Sequence, residues 1–214
     1  VEGALSSYAV DEAYGNDELE DRLSEWLTDA RRVFHRGGVN PHVDQLIQTA
    51  VRRRDRARQH FGTGPVAVED PSGMLAELRL RKSSSEIDQM VYASKVAAIA
   101  HELAMRHSRE GVTEYQLQSV IEGFFSYAGA SGWSYPSIVG CGENATILHY
   151  TTNRDVCGDD EVILIDAGAE YRGYASDITR SWPISGSFTD AQREIYDVVL
   201  EAQLAACLLY TSPS

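Results

Sequence analysis

Cysteine is scarce in this chain: Cys141, Cys157 and Cys207 are the only three, with no Cys-x-x-Cys motif and no even number to build a disulfide framework. A reducing compartment, the cytoplasm, is the expected setting. Positive charge is short as well, with 19 Lys and Arg against 32 Asp and Glu and a net charge of −13. Such a balance argues against non-specific nucleic-acid binding and against an anionic membrane surface. No apolar run approaches the ~20 residues of a membrane span, and the first residues carry no signal-peptide pattern. A Gly-x-Ser-x-Gly elbow is also missing, which disfavours a Ser/His/Asp hydrolase.

What is present suffices for a core: 43% of the 214 residues are hydrophobic, a length that suits one large or two small domains. The chain opens on Val1 in mid-composition. At its other end a helical pattern from Thr189 to about Cys207 meets Leu-Leu-Tyr-Thr-Ser-Pro-Ser without a cap. Residues 208–214 are therefore expected to be a non-native tail.

Local signals order the rest. Residues 1 to about 15 read as strand or loop. Apolar residues at 19, 23, 26 and 27 have helical spacing, with Asn16 or Asp17 as N-cap. Val33-Phe34 starts a strand, and Pro41 opens a helix that ends in the basic run Arg52 to Arg58, a solvated C-terminal face. Gly62 to Gly73 reads as a linker. Three capping boxes follow, Ser83 with Glu86, Thr113 with Gln116 and Thr189 with Gln192, each opening a helix. The first of these helices carries Ile87, Met90, Val91, Ser94, Ala97, Ala98 and His101 on nearby turns. The second carries Leu117, Val120, Ile121, Phe124 and Phe125. A strand over 137–139, a Gly-rich turn over 140–144 and a short strand ending in His149 lead to a hairpin. Residues 1–74 thus precede an α+β domain with an antiparallel sheet over 75–207.

The hairpin holds the most informative pair. Val162 to Ile165 is an apolar, β-branched strand, Tyr171-Arg172-Gly173 a turn, and Tyr174 to Trp182 the return. A turn centred between Tyr171 and Arg172 sets Asp166 against Asp177, Gly168 against Ala175 and Ile165 against Ile178. Opposed side chains have Cβ atoms about 5 Å apart, and like charges there are destabilising. At ~4 Å and an effective dielectric of about 20 the repulsion is about 4 kcal/mol. A shared proton, a basic partner or a cation relieves it, and a hard divalent ion is the economical choice. Gly168 and Ala175 leave room for an ion and a substrate. The pattern alone leaves open that both are solvated Asp residues at hairpin ends, and that His149 is a hydrogen-bonded structural residue.

The run Tyr135-Pro-Ser-Ile-Val-Gly-Cys-Gly-Glu-Asn-Ala-Thr-Ile-Leu-His-Tyr-Thr resembles the Xaa-Pro aminopeptidase (aminopeptidase P) family. So does Val162-Ile-Leu-Ile-Asp-Ala-Gly-Ala-Glu-Tyr-Arg-Gly-Tyr-Ala-Ser-Asp-Ile-Thr-Arg-Ser-Trp-Pro, with the Gly186 to Tyr196 stretch and the lead-in Leu80 to Ile87. The resemblance implies the first half of a pita-bread (creatinase/aminopeptidase) domain, preceded by part of an α/β N-terminal domain. It implies two divalent metal ions, usually Mn2+, held by two Asp, one His and two Glu. Asp166 matches the ligand of one ion, Asp177 the Asp bridging both, and His149 a non-ligand group that meets substrate or transition state. The expected reaction is metal-assisted hydrolysis releasing the first residue of a peptide with proline second; a homo-oligomer is compatible with it. The His and both Glu have no counterpart in these 214 residues, so the chain alone is expected to be inactive and to bind metal weakly. A prolidase with the same site is the nearest rival reading. A non-catalytic pita-bread binding module and a metal-independent, creatinase-type hydrolase are disfavoured, because both observable metal ligands are kept.

Overall fold

The computed structural model describes residues 2–8, 10–27, 30–61 and 67–211. By its internal contacts the chain divides into two compact units, Val1–Arg81 and Lys82–Ser214.

In the first unit, helix α1 (Glu2–Tyr8) stands where a strand or loop was expected. A 3₁₀ turn over Asn16–Glu18 leads into α2 (Leu19–Trp26). Strand β1 (Arg32–Phe34), helix α3 (Pro41–Phe61), strand β2 (Ala67–Glu69) and helix α4 (Ser72–Leu80) follow. The expected linker therefore contains a strand and the start of a helix. β2 lies parallel to β1, with Val33 against Val68, and a parallel pair joined through a helix is an α/β arrangement. Asn40 caps α3 by accepting from the amides of His42 and Val43.

The second unit packs a pair of helices against two small antiparallel sheets, with a third helix at its end. Helix α5 (Ser84–His107) begins at a full capping box, with Ser83 N donating to Glu86 Oε2 at 2.7 Å and Glu86 N donating to Ser83 Oγ. Helix α6 (Glu114–Tyr127) opens with Thr113 N donating to Gln116 Oε1 at 3.0 Å. Strands β3 (Gly132–Trp133), β4 (Ile138–Cys141), β5 (Val162–Ala167), β6 (Ala169–Tyr171), β7 (Tyr174–Ala175) and β8 (Ile178–Pro183) precede helix α7 (Asp190–Thr211). α7 thus runs past Cys207, while residues 212–214 lie outside the described residues. The strands form two antiparallel sheets, β4-β5-β8 and β3-β6-β7. Between β4 and β5, where a strand ending in His149 was expected, the chain makes a 3₁₀ turn over Gly142–Thr146.

The buried face of α5 is not the one its large apolar residues suggest. Ala93, Val96, Ala97, Ala100, His101 and Ala104 are buried, whereas Ile87, Met90 and Val91 are exposed. Small side chains allow the close approach to α6 that large ones would block. Leu117, Ile121 and Phe125 of α6 fill the other side, as their spacing predicts, and meet Val139, Ile163, Ile165 and Trp182 from the sheet. Full burial of such side chains contributes about 1.5–3 kcal/mol each. His101 Nδ1 donates to Ala97 O, leaving Nε2 without a partner.

A disulfide joins Cys141 to Cys157, with Cα atoms 5.5 Å apart, so two of the three cysteines are paired despite the odd count. It spans the base of the segment that carries His149.

Candidate active site

The hairpin register differs from the expected one by a single step of the turn. Arg172 and Gly173 both adopt positive φ, 51° and 83°, which makes them the two central residues of a type I′ turn. Tyr171 then pairs with Tyr174 and Glu170 with Ala175. Further along, Asp166 pairs with Thr179, Ile165 with Arg180 and Ala167 with Ile178. Asp177 is therefore not opposite Asp166. Moving the turn shifts each partner by two residues, and two residues preserve the face. Asp166 and Asp177 still point to the same side of the ribbon, now on a diagonal.

Gly168 is needed for a different reason from the one expected. A Cβ there would sit 1.8 Å from Ser176 O and 2.5 Å from Ser134 Oγ. The space beside it is filled by chain, not left for an ion. Here the ribbon breaks between β5 and β6 and between β7 and β8, and Ser176 knits the gap. Its N donates to Ala169 O at 2.9 Å, and its Oγ accepts from Ala169 N at 2.9 Å. Ser134 closes the other side, donating from N to Gly168 O and from Oγ to Ser176 O, at 2.8 and 2.7 Å.

What brings the two carboxylates together is Tyr135. Its hydroxyl donates to Asp166 Oδ1 and lies 3.1 Å from Asp177 Oδ1. Partial burial, and then the two aspartates, push the hydroxyl well above the ordinary tyrosine range, so it stays a donor. Tyr135 begins the first of the two motifs, yet composition and spacing assign it no role. The signal is topological, because it lies just before β4, whose Ile138 pairs with Asp166.

Burial along β5 alternates. Ile163, Ile165 and Ala167 face the helices, while Val162, Leu164 and Asp166 are half-buried on the other face. On that open face a cavity of about 710 Å³ runs between the sheet, at Leu164 and Thr179, and α7, at Ile195, Tyr196 and Val199. Leu164 and Thr179 are the neighbours of Asp166 on that face, so this apolar groove begins beside the carboxylates.

His149 is exposed, with φ of 57°. Left-handed backbone is uncommon outside glycine, though His tolerates it better than most residues. No hydrogen bond or ion pair ties its ring to either carboxylate among the described residues, so the imidazole is open to an external partner.

Asp166 and Asp177 supply hard oxygen donors on one face, which suits a divalent cation. Among the described residues no group of three or more His, Cys, Asp or Glu comes together to hold an ion. The chain's donors thus fit part of a metal shell.

Residues 88–210 match metallopeptidase family M24. The chain is 39% identical to the Xaa-Pro aminopeptidase of Escherichia coli (strain K12), over 98% of this chain and 47% of that protein. It is 33% identical to Xaa-Pro aminopeptidase 3 of Homo sapiens, over 99% of this chain and 42% of that one. Among solved structures, proline aminopeptidase P II from Yersinia pestis superposes with a TM-score of 0.85 at 41% identity, over 94% of this chain and 46% of that one. The chain belongs to metallopeptidase family M24, and its α+β fold is the pita-bread fold of the aminopeptidase P structures. It spans about half the length of the relatives it matches. No helix among the described residues is long and apolar enough to cross a membrane.

Proposed function

We propose that, at the full length of its relatives, the protein is a metal-dependent aminopeptidase that removes the N-terminal residue from peptides with proline in second place. The observation that carries the reading is the meeting of Asp166 and Asp177 at one phenol on the open face of a sheet, in a chain of family M24. The substrate class follows from the Xaa-Pro aminopeptidases it is similar to.

In this reading Asp166 and Asp177 would hold divalent ions, manganese by preference, with Asp177 serving both. Bound there, the ions would supply Lewis acidity to the scissile carbonyl and make water a better nucleophile. Tyr135 holds Asp166 in one orientation by donating to it. His149 donates a hydrogen bond to the substrate oxygen on which charge develops. The cytoplasm is the compartment this reading assigns, and residues 75–207 are the catalytic portion of the chain.

The test is Asp177→Ala in the full-length protein, with turnover of an Xaa-Pro peptide and metal content measured together. Loss of turnover with loss of bound metal is expected, and retained turnover with full metal content overturns the bridging role. The 214-residue chain alone is expected to show no turnover and weak metal binding. Elemental analysis after dialysis showing two tightly held ions per chain would contradict this.

A further inference from the structure

We infer that Glu114 is a positioning residue for His149: its carboxylate ties together both arms of the loop on which the imidazole rides. The inference rests on the reading of His149 as a substrate-facing group.

Glu114 is completely buried, in the first turn of α6. A buried carboxyl group is costly unless its oxygens are satisfied, and here both are. Oε1 accepts from Cys141 N at 2.9 Å and from Asn144 Nδ2 at 3.0 Å. Oε2 accepts from Tyr150 Oη at 2.8 Å and from Asp155 N at 3.0 Å. The helix N-terminus adds a favourable field for negative charge.

The division of these bonds is the point. Oε1 binds the outgoing arm, at the end of β4 and the 3₁₀ turn, and Oε2 binds the returning arm. Between them lies the tip, where Ile147 is 52% and Leu148 85% exposed. The tip has almost no packing of its own, yet His149 holds φ of 57°. An unfavourable backbone conformation persists only where its surroundings over-determine it, and here the restraint comes from the stems. Tyr150 directly follows His149, so its bond to Oε2 sets the direction in which the chain leaves the imidazole. Burial first, and then acceptance by Glu114, raise the Tyr150 hydroxyl above its ordinary range and keep it a donor. Asn144 cross-links the arms again through Tyr150 Oη at 3.1 Å and Asp155 Oδ2 at 2.8 Å.

The returning arm has independent anchors beyond Glu114. Asn153 accepts from Val139 N at 3.0 Å and donates to Ser137 O at 2.8 Å. Cys157 N donates to Val112 O at 2.8 Å. The unit should therefore fold without Glu114, and the loss should appear at the tip.

The experiment is a double-mutant cycle between Glu114→Gln and His149→Ala in the metal-loaded protein at full length, read as kcat at saturating substrate. Gln offers an amide NH₂ to donors and breaks one arm's pair of bonds. Displacing a reacting group by about 1 Å costs up to about 100-fold, so E114Q is expected to lower kcat roughly 10- to 100-fold with KM little changed. In the H149A background it should lower kcat hardly further. An equal loss in both backgrounds makes Glu114 merely structural and overturns the inference. If H149A itself leaves kcat unchanged, the reading of His149 fails, and this inference falls with it. Tyr150→Phe, which removes one donor, runs the same cycle with a several-fold effect should E114Q not fold. Hydrogen exchange in the 214-residue chain gives a readout without turnover. In E114Q the amide that faces the new NH₂, that of Cys141 or that of Asp155, should exchange faster while those of β5 do not; unchanged rates at both overturn the proposal.

Discussion

Tyr135, in the loop before the edge strand, donates its hydroxyl to Asp166 on the central strand. One neutral donor thus stands where two like charges converge, and it holds one carboxylate in a single rotamer. Replacing the group that orients a metal ligand typically costs about 10- to 100-fold in metal affinity or activity. Tyr135→Phe in the full-length protein is expected to weaken metal binding about 10-fold by isothermal titration. Unchanged affinity and turnover would remove Tyr135 from the site.

Gly168 sits where the ribbon breaks, on the chain between Asp166 and the hairpin turn. A methyl group at this position meets backbone, at 1.8 Å from Ser176 O, and backbone does not step aside as a long side chain does. Gly168→Ala should destabilise the chain by about 3 kcal/mol, the upper end of overpacking costs. Urea denaturation of the 214-residue chain measures it, and a change under about 0.5 kcal/mol, the range of ordinary surface substitutions, would mean that the ribbon can widen at the break.

Glu86 links the start of α5 to the hairpin through Tyr174 Oη at 2.8 Å. The Ser83 amide first, then the Tyr174 hydroxyl, hold its carboxyl below the ordinary 4.5. A depressed acid adds stability above its unfolded value and loses it as pH falls through the folded one. Glu86→Gln should therefore lower the melting temperature at pH 7, with the difference from the parent chain shrinking as pH drops below 4.5. A difference that is constant with pH would assign the effect to shape rather than charge.

The Cys141–Cys157 bond closes a loop with a sequence separation of 16. A cross-link of that length contributes about 3 kcal/mol by restricting the unfolded chain. Unfolding with and without dithiothreitol should differ by about that amount, and Cys157→Ser should abolish the difference. Identical curves would show that the pair is reduced in solution.

Much of the fold is legible in the sequence where the signal is local. Ser83 with Glu86 and Thr189 with Gln192 form the reciprocal bonds that their spacing predicts, because a cap needs only its own helix. Leu117, Ile121 and Phe125 lie on the buried face for the same reason. Features that depend on distant chain are hidden. β2 reads as linker because its partner, β1, lies across a helix. The working face of α5 is an alanine stripe, chosen by its neighbour rather than by its own hydrophobicity. The turn centre moves because Arg172, with no outward sign in its chemistry, takes a left-handed conformation. The two aspartates share a face despite that error, since a shift by two keeps parity. Tyr135 and Glu114 stay unread because each acts through residues far away in sequence.

The alternation along β5 sorts the consequences of mutation by odd and even number. A change at 163, 165 or 167 meets the helices and is a matter for the calorimeter. A change at 162, 164 or 166 meets the half-buried open face, where the melting temperature should move less and, on the proposed reading, turnover more. Evolution, or an engineer, therefore has on this one strand two nearly independent dials set a single residue apart.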